Sequence, residues 1–241
     1  MLLSLNTCGN TASVALGVAG PGVDEIRIVA HAELAVRTYS ARLIPEIAAM
    51  LAGQQATLRD IESIVVVNGP GSFTGIRVGL STAKGLAEPT GIPLLALSRL
   101  ALLAGASGLP HVLAVVDAGR GEYYVGEYRD GRNLGEVLLS AADAVAAAKQ
   151  PGAGIVVCEE NRTGDVSAVT AGACAALAVC GPVYVQPPDA AEALRFALGR
   201  FRAGSFENAE TLNANYLRRS DAEVFRTARA GSGSGNEAAS A

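Results

Sequence analysis

Apolar residues in this chain fall into short runs, separated by turns that carry Asn, Asp and Gly. Leu2–Leu5 reads as a strand, Asn6–Thr11 as a turn and Ala12–Val18 as a second strand, so the chain opens on a β-hairpin. Asp24–Ala35 continues as a third strand. The period then changes. Across Ser40–Ala52, Leu43, Ile47, Met50 and Leu51 recur at helical spacing. Pro45 fits such a helix in or near its first turn, or bends it. Ile61–Val67 is continuous and β-branched, the pattern of a buried strand, and a glycine-bearing loop and a helix follow. Pro93–Leu97 reads as a short strand and Leu100–Ala106 as a short helix.

The stretch Gly105–Pro110 ("GASGLP") reads as a hinge, after which the pattern restarts. His111–Val116 is a strand, Asp117–Gly121 a turn and Glu122–Tyr128 a strand. Each half thus opens as strand, polar residue, glycine-bearing turn, strand, which fits an internal duplication and equally two separate instances of a common hairpin. Ala141–Ala148 and Val166–Val179 read as helices, Gly154–Cys158 and Val183–Val185 as strands, and Asp189–Ala203 as a helix with Ala191, Leu194, Phe196, Ala197 and Phe201 providing apolar contacts. The expected organisation is an N-terminal lobe over 1–104, a hinge over 105–110, a C-terminal lobe over 111–225 and a disordered Gly-, Ser- and Ala-rich tail over 226–241. Strands and helices mix throughout, so the class is α/β.

Composition narrows the function. Of 241 residues, half are hydrophobic and 17% charged, which supports a sizeable core. The net charge of −4 argues against this chain gripping nucleic acid unaided. Cys8, Cys158, Cys174 and Cys180 lack CxxC spacing and read as reduced thiols of a cytoplasmic protein. His31 and His111 form no metal-binding pair with any HExxH pattern, which argues against a zinc hydrolase. Met1–Leu5 has no basic region before it and is interrupted by Asn6, so it is not read as a signal peptide, and no run is long enough for a membrane span.

Chemistry concentrates in "NGPGSFTGIRVGLSTAKGLA", residues 68–87. A phosphate loop of the GxxxxGK type fails, because Ile76 stands where lysine is needed. A GxGxxG fingerprint fails as well, since Thr74 follows Gly69 and Gly71. A generic anion site at the helix start, capped by Ser72 or Thr74, and a tight structural turn both remain open. Within the helix, Gly75, Gly79, Ala83 and Ala87 recur every fourth residue and align in one row, flanked by Ile76 and Leu80. Such a row allows close approach of another backbone, either in the same chain or in a partner.

The segment Gly69–Ala87 resembles, nearly residue for residue, the signature of the TsaB (YeaZ) family. "LSLNTCGNTASVAL", "YSARLIPEI", "AVVDAGRGEYYVGEY" and "YLR" at Tyr216–Arg218 resemble further parts of that family, so the resemblance covers most of residues 1–220. It implies a two-lobe actin/Hsp70-like ATPase fold with duplicated, hairpin-led subdomains. It also implies a cytoplasmic, non-catalytic dimerisation subunit of the machinery that places threonylcarbamoyl on N6 of adenosine 37 in tRNAs reading ANN codons. In that machinery the catalytic paralogue is TsaD, the ATPase TsaE joins the pair, the complex uses ATP, and tRNA is met through the complex. Pairing with TsaD, or self-association as a homodimer, uses two first-lobe helices. The residues this implies for the interface are Leu43, Ile47 and Met50 on the first helix, with Gly75, Ile76, Gly79, Leu80, Ala83 and Ala87 on the second.

The sequence departs from the family at Asn6, where aspartate is usual, and at Tyr39, where many relatives have histidine. An amide lacks the charge a hard Mg²⁺ ion prefers. Asn6, Thr7, Gly69, Gly71, Ser72 and Asp117 are therefore read as a vestigial phosphate site, with no cofactor or metal assigned to the chain. The alternative is a nucleotide-hydrolysing enzyme of the same fold that uses Asp117, Asn6 and the 69–75 loop. The older glycoprotease label of this superfamily demands metal ligands or an activated nucleophile, and the sequence offers neither.

Overall fold

The structure, a computed structural model, describes residues 1–35, 39–158 and 175–217. The opening hairpin is β1 (Leu2–Asn6) paired antiparallel with β2 (Thr11–Ala19), with Leu3 opposite Leu16 and Asn6 opposite Ser13. β3 (Ile26–Ala35) adds to β2, also antiparallel. After helix α1 (Tyr39–Gly53) comes β4 (Ser63–Val67), which runs parallel to β1. Every residue of β1 and of β4 is buried. Inner strands covered on both faces have no solvent side, which is why neither shows polar alternation. Helix α2 (Phe73–Thr90) leads to β5 (Leu94–Leu97), parallel to β4, and closes a sheet of order β3-β2-β1-β4-β5.

Helix α3 (Arg99–Ser107) crosses to a second sheet. It contains β6 (His111–Gly119), β7 (Glu122–Arg129), β8 (Arg132–Ser140), β9 (Gly154–Cys158) and β10 (Val183–Val185) in the order β10-β9-β6-β7-β8. Two antiparallel neighbours lie on one side of the lead strand and two parallel ones on the other, as in the first sheet. The duplication expected from the two hairpins is thus present in strand order and direction. The turns of this lobe are built for tight reversal. Arg120 and Gly121, between β6 and β7, have φ of 61° and 74°, and Asp130 and Gly131, between β7 and β8, have 50° and 75°. Left-handed backbone at both central residues matches the twist of the flanking strands.

The two lobes exchange helices. α3 follows the first sheet in sequence, yet Leu100, Leu103 and Ala104 join Val112, Ala114, Tyr124 and Val156 in the second core. α5 (Ala190–Arg202) follows the second sheet, yet Ala190, Leu194, Ala197 and Leu198 join Leu2, Leu16 and Leu95 in the first. Residues 190–202 thus complete the core of the first sheet, and α3 contributes Leu100, Leu103 and Ala104 to the second core while its Leu102 joins the first. The stretch expected as a hinge begins inside α3. Gly105, Ala106 and Ser107 are helical, and a side chain at Gly105 would strike the ring of Phe196 on α5. Gly108 ends α3 in the left-handed conformation, with φ of 65°.

Other expectations shift as well. Pro45 is the seventh residue of α1, well past its first turn, and it removes the hydrogen bond to the carbonyl four residues earlier. β8 is absent from the expected element order. Of the helix expected over Val166–Val179, residues 175–179 lie in a 3₁₀ turn, Ala175–Cys180, and the remainder falls outside the described residues, as do Cys174 and the tail 226–241. α4 (Ala141–Ala148) is where it was expected, started by the Ser140 hydroxyl accepting from Asp143 N–H. Among the described residues no helix is long and apolar enough to cross a membrane.

Candidate functional site

The glycine loop between β4 and α2 folds back onto the first hairpin. Ser72 N–H donates to the Cys8 carbonyl at 2.8 Å, and the Ser72 hydroxyl caps α2 by accepting from Gly75 N–H at 3.2 Å. Any side chain at Gly71 would collide with that same Cys8 carbonyl, so glycine here serves close backbone approach. Thr7 is fully buried, and its hydroxyl donates to the Gly75 carbonyl at 2.6 Å. Asn6 donates through Nδ2 to the Pro188 carbonyl at 2.7 Å and accepts at Oδ1 from Cys8 N–H at 3.1 Å. Cys8 itself is buried, its thiol donating to the Val67 carbonyl at 3.1 Å. The structure therefore brings Asn6, Thr7, Gly69, Gly71 and Ser72 into one region, and their polar groups bond mostly to the protein's own backbone. Asp117 stands in the other sheet, where its carboxylate accepts from Gly119 N–H at 2.9 Å.

The interface residues expected on α1 and α2 turn the other way. Leu43, Ile47 and Met50 are buried, as are Gly75, Ile76, Gly79, Leu80, Ala83 and Ala87. The row of small residues faces the protein's own sheet, and a methyl group built on Gly79 would meet the Thr7 hydroxyl. The close approach of that row is made within the chain, and all nine residues expected at the interface are buried in this chain's own fold. Among the described residues the opposite faces are the ones left uncovered. On α1 they carry exposed Ala41, Ile44, Pro45, Ala48, Ala49 and Ala52. On α2 they carry exposed Phe73, Arg77, Ser81 and Gly85, an i, i+4 row on which Gly85 has open space in place of a side chain.

A polar node that sequence reading missed lies where the lobes meet. The Glu136 carboxylate on β8 accepts from the Ser98 hydroxyl at 2.5 Å, from the Tyr128 phenol and from the Asn215 amide. Burial first, then the adjacent Glu136, hold the Tyr128 phenol far above its ordinary range, so it stays a donor. Tyr216, next in sequence, stacks on Phe73 with ring centroids 5.0 Å apart and accepts from Arg77 Nε at 3.0 Å. The Arg77 guanidinium lies 3.7 Å from the Phe73 ring centre. Each histidine faces a carboxylate: His31 lies 3.3 Å from Asp189, and His111 lies 2.8 Å from Glu127. Among the described residues no group of three or more His, Cys, Asp or Glu is placed to hold a metal ion.

Comparison with known proteins sets this geometry in a lineage. A family model described as TsaD, tRNA N6-adenosine threonylcarbamoyltransferase, matches residues 30–154, just over half of the chain. The tRNA threonylcarbamoyladenosine biosynthesis protein TsaB of Escherichia coli is 36% identical over 136 residues, 55% of this chain and 56% of that protein. The chain belongs to the TsaB/YeaZ family. The TsaB of Bacillus subtilis is 33% identical over 134 residues, 54% of this chain and 57% of that protein. The chain thus spans about half the length of the curated relatives it matches. The solved YeaZ from Pseudomonas aeruginosa superposes with a TM-score of 0.67 and 26% identity, covering 90% of this chain and 99% of that one. The two duplicated sheets are those of the two-lobe actin/Hsp70-like architecture expected from the motif.

Proposed function

We propose that this chain is a non-catalytic scaffold in the assembly that makes threonylcarbamoyladenosine in tRNA, pairing with a TsaD-type catalytic homologue through the outward faces of α1 and α2. The observation that carries the reading is the chemistry of those faces. Each helix already buries one side against its own sheet, and the other shows alanine, isoleucine, serine and glycine at the surface. Small residues at Ser81 and Gly85 admit a second helix at close range, and Ile44 of α1, 49% exposed, offers an apolar contact. The glycine loop supports the same reading. The Ser72 N–H, the Gly75 N–H and the Thr7 hydroxyl all donate within the protein, so these three donors near the start of α2 are not free for a phosphate.

In this reading the transferase chemistry belongs to the homologue, a TsaE-type ATPase supplies nucleotide turnover, and tRNA reaches the assembly through the partners. The net charge of −4 fits that division. The test is reconstitution of tRNA modification from purified components, with size-exclusion chromatography of the pair. Expected are a stable complex with the homologue, modification that requires this chain, and weak, salt-sensitive tRNA binding by the chain alone. Modification that proceeds equally without it overturns the reading. So does steady ATP turnover by the chain alone that vanishes in Asp117→Ala, which promotes a nucleotide-hydrolysing enzyme instead.

A further inference from the structure

Residues 213–217 touch both lobes within five positions. On the first-lobe side, Asn215 N–H donates to the Asn68 carbonyl at 2.8 Å, and the Asn68 amide donates to the Asn213 carbonyl at 3.2 Å. Tyr216 lies on Phe73 and Arg77 at the start of α2. On the second-lobe side, the Asn215 amide donates to Glu136, and Leu217 packs against the core that holds Tyr128 and Leu100. Glu136 is in turn fixed by Ser98, the N-cap of α3, and by Tyr128 of β7. One carboxylate thus collects donors from the helix that crosses between the lobes, from the second sheet and from this segment. Hydrogen bonds to an ionised acceptor are the stronger kind, and they set direction as well as distance.

We propose that residues 213–217 form an inter-lobe strap, latched by Glu136, that holds the two lobes at one fixed angle. Lobes can move against each other through hinges of a few residues, and a strap bonded on both sides opposes that freedom. It acts through a positioning residue, Glu136, that orients Asn215.

Amide hydrogen exchange of the full-length protein, read at Asn215 and at the first turn of α2, tests the proposal. Glu136→Ala removes the second-lobe anchor, and Asn68→Ala weakens the first-lobe anchor. Each is expected to speed exchange at Asn215 at least tenfold, because a strap needs both ends. Asn215→Ala keeps the backbone N–H being measured and removes only the amide side chain, so it should give the same acceleration without disturbing either core. Tyr128→Phe takes away one of four donors and should fall between wild type and Glu136→Ala. Exchange at Asn215 within twofold of wild type in Glu136→Ala, or acceleration on release of one lobe only, overturns the strap. If Glu136→Ala does not fold, Asn215→Ala decides alone by the same twofold limit.

Discussion

The inner and outer faces of α2 both carry small residues, all along the inner row and in the second half of the outer one, and do opposite things. The inner row, Gly75, Gly79, Ala83 and Ala87, lets the helix settle onto the first hairpin until the Thr7 hydroxyl reaches the Gly75 carbonyl at 2.6 Å. The outer row begins with Phe73 and Arg77 under Tyr216 and then thins to Ser81 and Gly85, where nothing stands within 4 Å of an added methyl group. Small size alone does not mark an interface. What distinguishes the two faces is whether the chain itself already occupies the space that glycine leaves.

That contrast can be broken or sharpened by substitution. The largest effect is expected at Gly79, where leucine would drive into Thr7 and the hairpin. Overpacking there should destabilise the fold by about 3 kcal/mol, read by urea unfolding. A Gly79→Leu protein that melts like wild type would erase the distinction between the faces. Next is Ile76→Ala, which empties a fully buried site and should cost about 2–4 kcal/mol in the same measurement. A smaller and more specific effect concerns the contact itself. Thr7→Ala should cost about 1 kcal/mol by losing its hydrogen bond. It should also lessen the penalty of Gly79→Ala, giving a double-mutant coupling of about 1 kcal/mol; strictly additive costs would mean that Thr7 is not what Gly79 accommodates. The smallest change in stability is expected on the outer face. Gly85→Leu should raise stability by about 0.8 kcal/mol through helix propensity and yet abolish the complex with the TsaD-type homologue. Retention of that complex would remove the outer face from the proposed function while leaving the inner-face results intact.

The first lobe was the more legible in sequence. The continuous Ile64–Val67 run marked a buried strand, and the four-residue repeat of glycine and alanine marked a packed helix face. The direction of that face was not legible, because glycine and alanine carry no amphipathic sign and their neighbours Ile76 and Leu80 suit a core and an interface alike. Strand β8 went unread although its signal was present. Asp130-Gly131 between Tyr128 and Leu134 is a strong two-residue hairpin turn, but the strand beyond it is a half-exposed edge with little alternation. Glu136 followed β8 into obscurity. Its donors Ser98, Tyr128 and Asn215 lie 38, 8 and 79 residues away, and no local pattern joins them. The destination of α5 was equally hidden: amphipathicity shows that a helix has an apolar side but not which sheet will receive it.

The exchange of helices between the lobes bears on how the protein is made. As the chain leaves the ribosome, the first sheet is complete at Leu97, but the helix that finishes its core does not emerge until after residue 189. For nearly a hundred residues of synthesis, Leu2, Leu16 and Leu95 lack the apolar cover that Leu194 and Leu198 later provide. A nascent first lobe held in that state has exposed strand faces of the kind that chaperones bind, and it cannot mature one domain at a time as multidomain chains usually do. The first core closes only once α5 has emerged and joined it.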